Sequence, residues 1–104
     1  MTDTAISRNG INVRLTDERW MHIEDEHGEL VGLRAEVLQA IAEAERVLAD
    51  GAGELLAVRM VEAHKALIVV YRETNAADGF IITAFLTGQL SKLNRRQQLW
   101  PSKT

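Results

Sequence analysis

Three sets of side chains in this 104-residue sequence have the chemistry to act on a substrate. The first is a pair of imidazoles, His22 and His27. Histidine changes charge near neutral pH, so each can take or give a proton as a general base or acid. Five positions apart, the two lie about 140° from each other around an ideal helix. They share a face only if the helix ends before His27. Each also has an ordinary reading: His27 as the edge of a core beneath Trp20 and Ile23, His22 as a surface residue among Glu18, Arg19 and Glu26. With Glu24, Glu26 and Glu29 they form a pool of nitrogen and oxygen ligands, but the spacing offers no i, i+4 histidine pair of the zincin kind. The expectation is a chain with no metal and no other cofactor.

The second set is polar residues inside apolar runs. Arg59 sits among Leu55, Leu56, Val58, Met60 and Val61. Tyr71 and Arg72 end the run Leu67–Val70, and Thr83 interrupts Ile81–Phe85. An arginine fork grips phosphate and stabilises charge developing on it, while hydroxyls orient a phosphate or a ribose hydroxyl. Gathered on one sheet face these groups would make a site, although sequence alone does not fix strand register. The plainer reading is that Thr83 is a good strand former and that the arginines reach outward from sheet edges. The third set is Lys92, Arg95 and Arg96, near Trp100. Such a cluster suits phosphate contacts and base stacking, or is simply the solvated face of a helix. No glycine-rich phosphate loop, nucleophile elbow or dinucleotide fingerprint is present.

The elements that must position these groups are legible from periodicity. Residues 1–10 read as a loose leader. Ile11–Leu15 alternates apolar and polar residues, as a short strand does. Thr16 is placed to cap a helix over Asp17–His27, with Asp17 and Glu18 near the positive end of its dipole. Gly28 would close it in a left-handed conformation. A second helix is expected from Leu33 to Ala49, with Val37, Leu38, Ile41, Ala44 and Leu48 as its buried stripe. Burying its four large aliphatic side chains contributes on the order of 6–12 kcal/mol before the entropy cost. Gly51 and Gly53 end it. Three strands follow, Glu54–Val61, Ala66–Arg72 and Phe80–Thr87, joined by hairpin-length links and therefore antiparallel. On the last, Phe80, Ile82, Ala84 and Leu86 alternate with Ile81, Thr83, Phe85 and Thr87. Gln89–Thr104 reads as either a helix or a fourth strand, with a loose tail from Pro101. The expected fold is α+β, one domain with two N-terminal helices packed on a three- to four-stranded antiparallel sheet.

Composition narrows the function classes. Apolar residues make up 46% and charged residues 26%, a globular balance rather than a disordered one. There is no cysteine, which excludes thiol catalysis and disulfide scaffolds. No signal peptide is visible and no apolar run is long enough to span a bilayer, so no membrane role and a cytoplasmic location are expected. The net charge of −3 argues against indiscriminate nucleic-acid binding. It is unevenly spread: residues 1–50 carry 11 acids and 5 bases, residues 51–104 carry 4 acids and 7 bases. A basic second half can face an anion, or can simply follow two acidic helices.

The run Leu15–Ile23 (LTDERWMHI), followed by His27 and Glu29, resembles the opening of small phage- and plasmid-associated proteins grouped with the barnase, EndoU, colicin and RelE-like ribonuclease superfamily. Leu67–Glu73 and Asp78–Thr87 (DGFIITAFLT) resemble the closing strands of the same group. The similarity spans about Ile11 to Leu90. It implies helices followed by an antiparallel sheet and a metal-independent endoribonuclease, the toxin of a toxin–antitoxin pair. His22 and His27 match the opening histidines, and Tyr71, Arg72 and Thr83 match polar positions of the closing strands. Arg59 and Lys65 follow less closely. On this reading His22, His27, Arg59, Tyr71 and Thr83 are catalytic, and Lys65, Arg72, Arg95 and Arg96 hold RNA. An alternative reading is a non-catalytic interaction module, such as a toxin neutraliser or a dimeric accessory protein. The partners expected are RNA, an antitoxin or other protein, and a second copy of the chain.

Overall fold

Residues 2–6, read as part of a loose leader, instead form a strand. In the computed structural model, which describes residues 1–102, β1 (Thr2–Ile6) pairs antiparallel with β2 (Asn12–Thr16). Helix α1 (Asp17–Glu26) follows without a loop. The Thr16 side chain accepts from the Arg19 N–H at 3.1 Å, as an N-cap does. At the other end Gly28 does not take a left-handed conformation. His27 caps α1, its N–H donating to the Ile23 carbonyl, and Gly28–Leu30 makes a 3-10 turn.

Helix α2 spans Arg34–Ala42, shorter than the stripe suggested. The chain then extends into β3 (Arg46–Ala49), which pairs antiparallel with β4 (Leu55–Glu62). Val47 and Leu48 satisfy a helical stripe and a strand alternation equally well. The strand prevails because the edge of β4 needs a partner for its backbone and because Val47 and Leu48 are buried in two different apolar clusters. Gly51 and Gly53, at φ +92 and +97, make the β3–β4 turn rather than ending a helix.

β5 (Lys65–Asn75) and β6 (Asp78–Thr87) continue the antiparallel meander. Helix α3 (Leu90–Asn94) and β7 (Gln98–Trp100) resolve the ambiguous C-terminal piece into one of each. Lys103 and Thr104, in the expected loose tail, lie outside the described residues. Among the described residues the sheet has seven strands in the order β1-β2-β6-β5-β4-β3-β7. It is mixed, because β2 runs parallel to β6, pairing Val13 with Gly79 and Arg14 with Phe80. The expected two helices on a three- to four-stranded antiparallel sheet is therefore incorrect: strands dominate, and three of them (β1, β2 and β7) extend the central meander on either side. A bidentate pair from Arg14 to Asp78, 2.9 Å on each arm, fixes the parallel junction.

Each face of the sheet buries an apolar layer. On one, Val13, Leu15, Val47, Ala57, Leu67, Val69, Tyr71, Ile81 and Ala84 pack with Trp20, Ile23, Leu30, Val37 and Ile41 from the helical segment. On the other, Leu48, Leu56, Val58, Ala66 and Ile68 pack with Leu93 of α3. β2 accompanies β6 only at its start, and beyond Phe80 α1 and the 3-10 turn lie against β6 instead.

Gly79 sits where β2, β5 and β6 meet. A Cβ there would stand 2.6 Å from the Arg72 carbonyl oxygen and 3.3 Å from Glu73 Cα, both backbone atoms that cannot swing aside. Gly79→Ala is expected to lower unfolding stability by about 1–3 kcal/mol, the usual cost of overpacking, read as a lower urea midpoint with an unchanged slope.

Candidate nucleic-acid interface

The two faces divide the expected site residues between them. Ala57, Leu67 and Tyr71 belong to the layer under the helices, and register puts Arg59 opposite Leu67 on that side. Arg59 Nη1 donates to the Glu43 carbonyl at 3.2 Å and stands 3.9 Å from the Glu43 carboxylate. It thus places a cation at the C-terminus of α2, where the helix dipole is negative. Tyr71 is 1% exposed. Burial, and then the charge of Glu73, push its phenol well above its ordinary value, so it holds its proton and meets no solvent.

Thr83 lies opposite Val70 on the other face. Register shifts by one residue between Val70 and Tyr71, and Ile82 is the extra residue of the bulge. The bulge breaks the simple alternation expected for β6: Ile81 turns under the helices, whereas Thr83, Phe85 and Thr87 stay on the opposite face. Phe85 pairs with Ile68 there, and Thr87 with Ala66.

Above these strands α3 leaves a cleft of about 310 Å³. Leu56, Val70, Phe85 and Leu93 form its apolar lining, and Thr87, Gln89, Asp50, Lys92 and Arg96 bring polar groups to it. Helix α3 is anchored by Leu93, by Arg46 donating to Asn94 at 2.9 Å, and by Arg96 donating to Asp50 Oδ1 at 2.9 Å. Lys92 makes no ion pair among the described residues. The His27 ring stands 6.2 Å from the Phe85 ring, with Nδ1 3.8 Å from Glu29. It is 29% exposed and stands beside Phe85, outside the set of residues that line the cleft.

The structure therefore places Thr83 and Arg96 on one face and Arg59 and Tyr71 on the other, with His27, the cap of α1, beside Phe85 where α1 meets β6. His22 is exposed on α1. Lys65 is exposed at the β4–β5 hairpin and Arg95 follows α3, also exposed. Arg72 is tied to Glu54 at 3.0 Å and to the Ala52 carbonyl at 3.5 Å. Lys92 belongs to the basic set read from the sequence, whereas Phe85, Thr87 and Gln89 lie outside all three sets. The available signals were the alternation Thr83-Phe85-Thr87 and the position of Lys92 one turn from Arg96. No three His, Asp or Glu side chains gather as a metal-ligand set among the described residues, and no helix is long and apolar enough to cross a membrane. No family model, curated protein or solved structure matches the chain.

Tyr71 is the only tyrosine, so tyrosinate absorbance reports on it alone. In the unfolded chain it ionises near 10.0, and the native phenol ionises higher. The stability it lends is complete below pH 10 and is lost as pH rises through the native value. Native protein at pH 10–11 should show almost no tyrosinate signal. The signal should appear together with unfolding at higher pH, and Tyr71→Phe should flatten the alkaline loss of stability.

Proposed function

We propose that this chain is an RNA-binding domain with metal-independent endoribonuclease chemistry, working on the sheet face opposite α1 and α2. The observation that carries the reading is the cleft beneath α3, which joins an aromatic ring, a hydroxyl and an ammonium that makes no ion pair among the described residues, with the His27 imidazole 6.2 Å from the same ring, just outside the lining. Bases stack on aromatic faces with little sequence preference, and cations meet the backbone phosphates. The resemblance of the opening helix and closing strands to the ribonuclease superfamily supports the same assignment. His22, His27, Arg59, Tyr71 and Thr83 do not form one catalytic set, because Arg59 and Tyr71 serve the opposite face.

In this scheme His27 accepts the proton of a ribose 2′-hydroxyl. The 2′-oxygen attacks phosphorus, and Lys92 offsets the negative charge that builds on the phosphate. The bond to the 5′-oxygen breaks, that oxygen takes a proton from water, and a 2′,3′-cyclic phosphate and a 5′-hydroxyl remain. Thr83 and Thr87 offer hydroxyls for the sugar–phosphate chain. The basic second half of the sequence suits this electrostatics, and the acid of the first half that lines the cleft, Asp50, is paired with Arg96.

Purified protein incubated with single-stranded RNA and chelator should generate cyclic-phosphate ends. His27→Ala should slow this by about 10²-fold or more, with His22→Ala and Arg59→Lys close to wild type. Lys92→Ala should weaken RNA binding and reduce the slope of log affinity against log salt by about one. RNA bound but left intact by the wild type would favour the non-catalytic binding module. Neither binding nor cleavage would remove RNA from the account.

A further inference from the structure

The outer edges of the sheet are finished in different ways. β7 has three residues, its pairing with β3 breaks between Val47 and Leu48, and Pro101 follows it. Shortness, irregular register and proline all discourage another strand from adding on. The part of β6 not covered by β2 lies against α1. β1 has no proline and no break in register; α2 packs against it on the side of Ala5, and its other face is open. Its five residues pair with β2 in unbroken register and include no proline or lysine. Its one charge, Asp3, is held by Arg34 at 2.9 Å. Thr2, Thr4 and Ile6 are exposed, Ile6 to 59%. The outer backbone groups of β1 have no strand partner among the described residues.

We propose that β1 is the dimerisation edge of this protein and that its occupant is β1 of a second copy, paired antiparallel across a two-fold axis at Thr4. The strand is complementary to itself in that register. All five residues pair, with Thr2 opposite Ile6 and Asp3 opposite Ala5, so no like charges oppose each other directly. Thr2, Thr4 and Ile6 lie on the face of the sheet that carries Thr83, because Ala5 packs into the layer under the helices. Pairing therefore joins two sheets into one and makes the two open faces continuous. Nothing in this assignment depends on RNA cleavage.

Thr4 is exposed, and its substitution tests the axis without touching the core. Sedimentation equilibrium should show a monomer–dimer equilibrium for the wild type. Thr4→Lys or Thr4→Glu alone puts like charges face to face and should weaken dimerisation on the order of fivefold or more. An equimolar mixture of the two should recover the dimer as a heterodimer, a rescue that general destabilisation cannot produce. In this cysteine-free chain, Thr4→Cys should form an intermolecular disulfide under mild oxidation, whereas Lys65→Cys, at another exposed position, should not. A wild type that stays monomeric into the millimolar range overturns the proposal. So does a Thr4→Lys variant that dimerises as tightly as wild type, or a Lys/Glu mixture that fails to restore the dimer.

Discussion

The rest of the structure depends on β5 being apolar on both sides. Leu67, Val69 and Tyr71 point one way, Ala66 and Ile68 the other, and all five are buried. A strand of this kind cannot stand at an edge or face water on either side. It needs strand neighbours on both flanks, which β4 and β6 supply, and a cover on both faces. Helices α1 and α2 cover one face fully. The five-residue α3 covers the other only in part, and the cleft is what that partial cover leaves. The candidate site thus follows from an imbalance: two helices on one side of a doubly apolar strand and a single short helix on the other.

Half of the cations that the sequence offers for a substrate hold the fold instead, as do other arginines. Arg14 binds Asp78 at the parallel junction, and Arg34 ties β1 and the start of α1 together through Asp3 and Asp17. Arg59, Arg72 and Arg96 each have a carboxylate partner. Exposed pairs of this kind contribute little individually, but they fix geometry and neutralise charge. The positive balance of the second half is therefore narrower in space than in sequence. Among the described residues it reduces to Lys65, Lys92 and Arg95, of which Lys92 lines the cleft. Arg8, from the β1–β2 turn, instead stacks 4.4 Å above the Trp100 ring and donates to the Ala44 carbonyl. That contact links the β1–β2 turn to β7, at the other end of the strand order.

The division of the site between faces was only partly legible. That Thr83, Phe85 and Thr87 share a side follows from strand alternation. That Ile81 leaves them does not, because the bulge at Ile82 arises from how β6 accommodates β5 and the incoming β2. Tyr71 and Arg72 look equivalent as polar residues closing an apolar run. One is sealed under the helices and the other is half exposed, since adjacent strand positions face opposite ways. Arg59 stands among aliphatic residues because the end of α2 needs a cation, a reason invisible until α2 and β4 are seen side by side.

The sequence by itself determined what is local. Thr16 starts α1 because its hydroxyl reaches a backbone N–H three residues on. The glycines at 51 and 53 make a turn because only they adopt positive φ cheaply. The runs Leu55–Glu62, Lys65–Asn75 and Asp78–Thr87 are strands because their apolar residues are β-rich and their links are short. Tertiary structure decided what depends on partners distant in the chain. Thr2–Ile6 carries too little apolar character to announce a strand and becomes one by pairing with β2. Arg46–Ala49 leaves the helical pattern because β4 supplies an open edge. The parallel junction of β2 with β6, and the face on which each polar side chain emerges, are set by long-range hydrogen bonding and by the two covered sides of β5. No local pattern of residues encodes either.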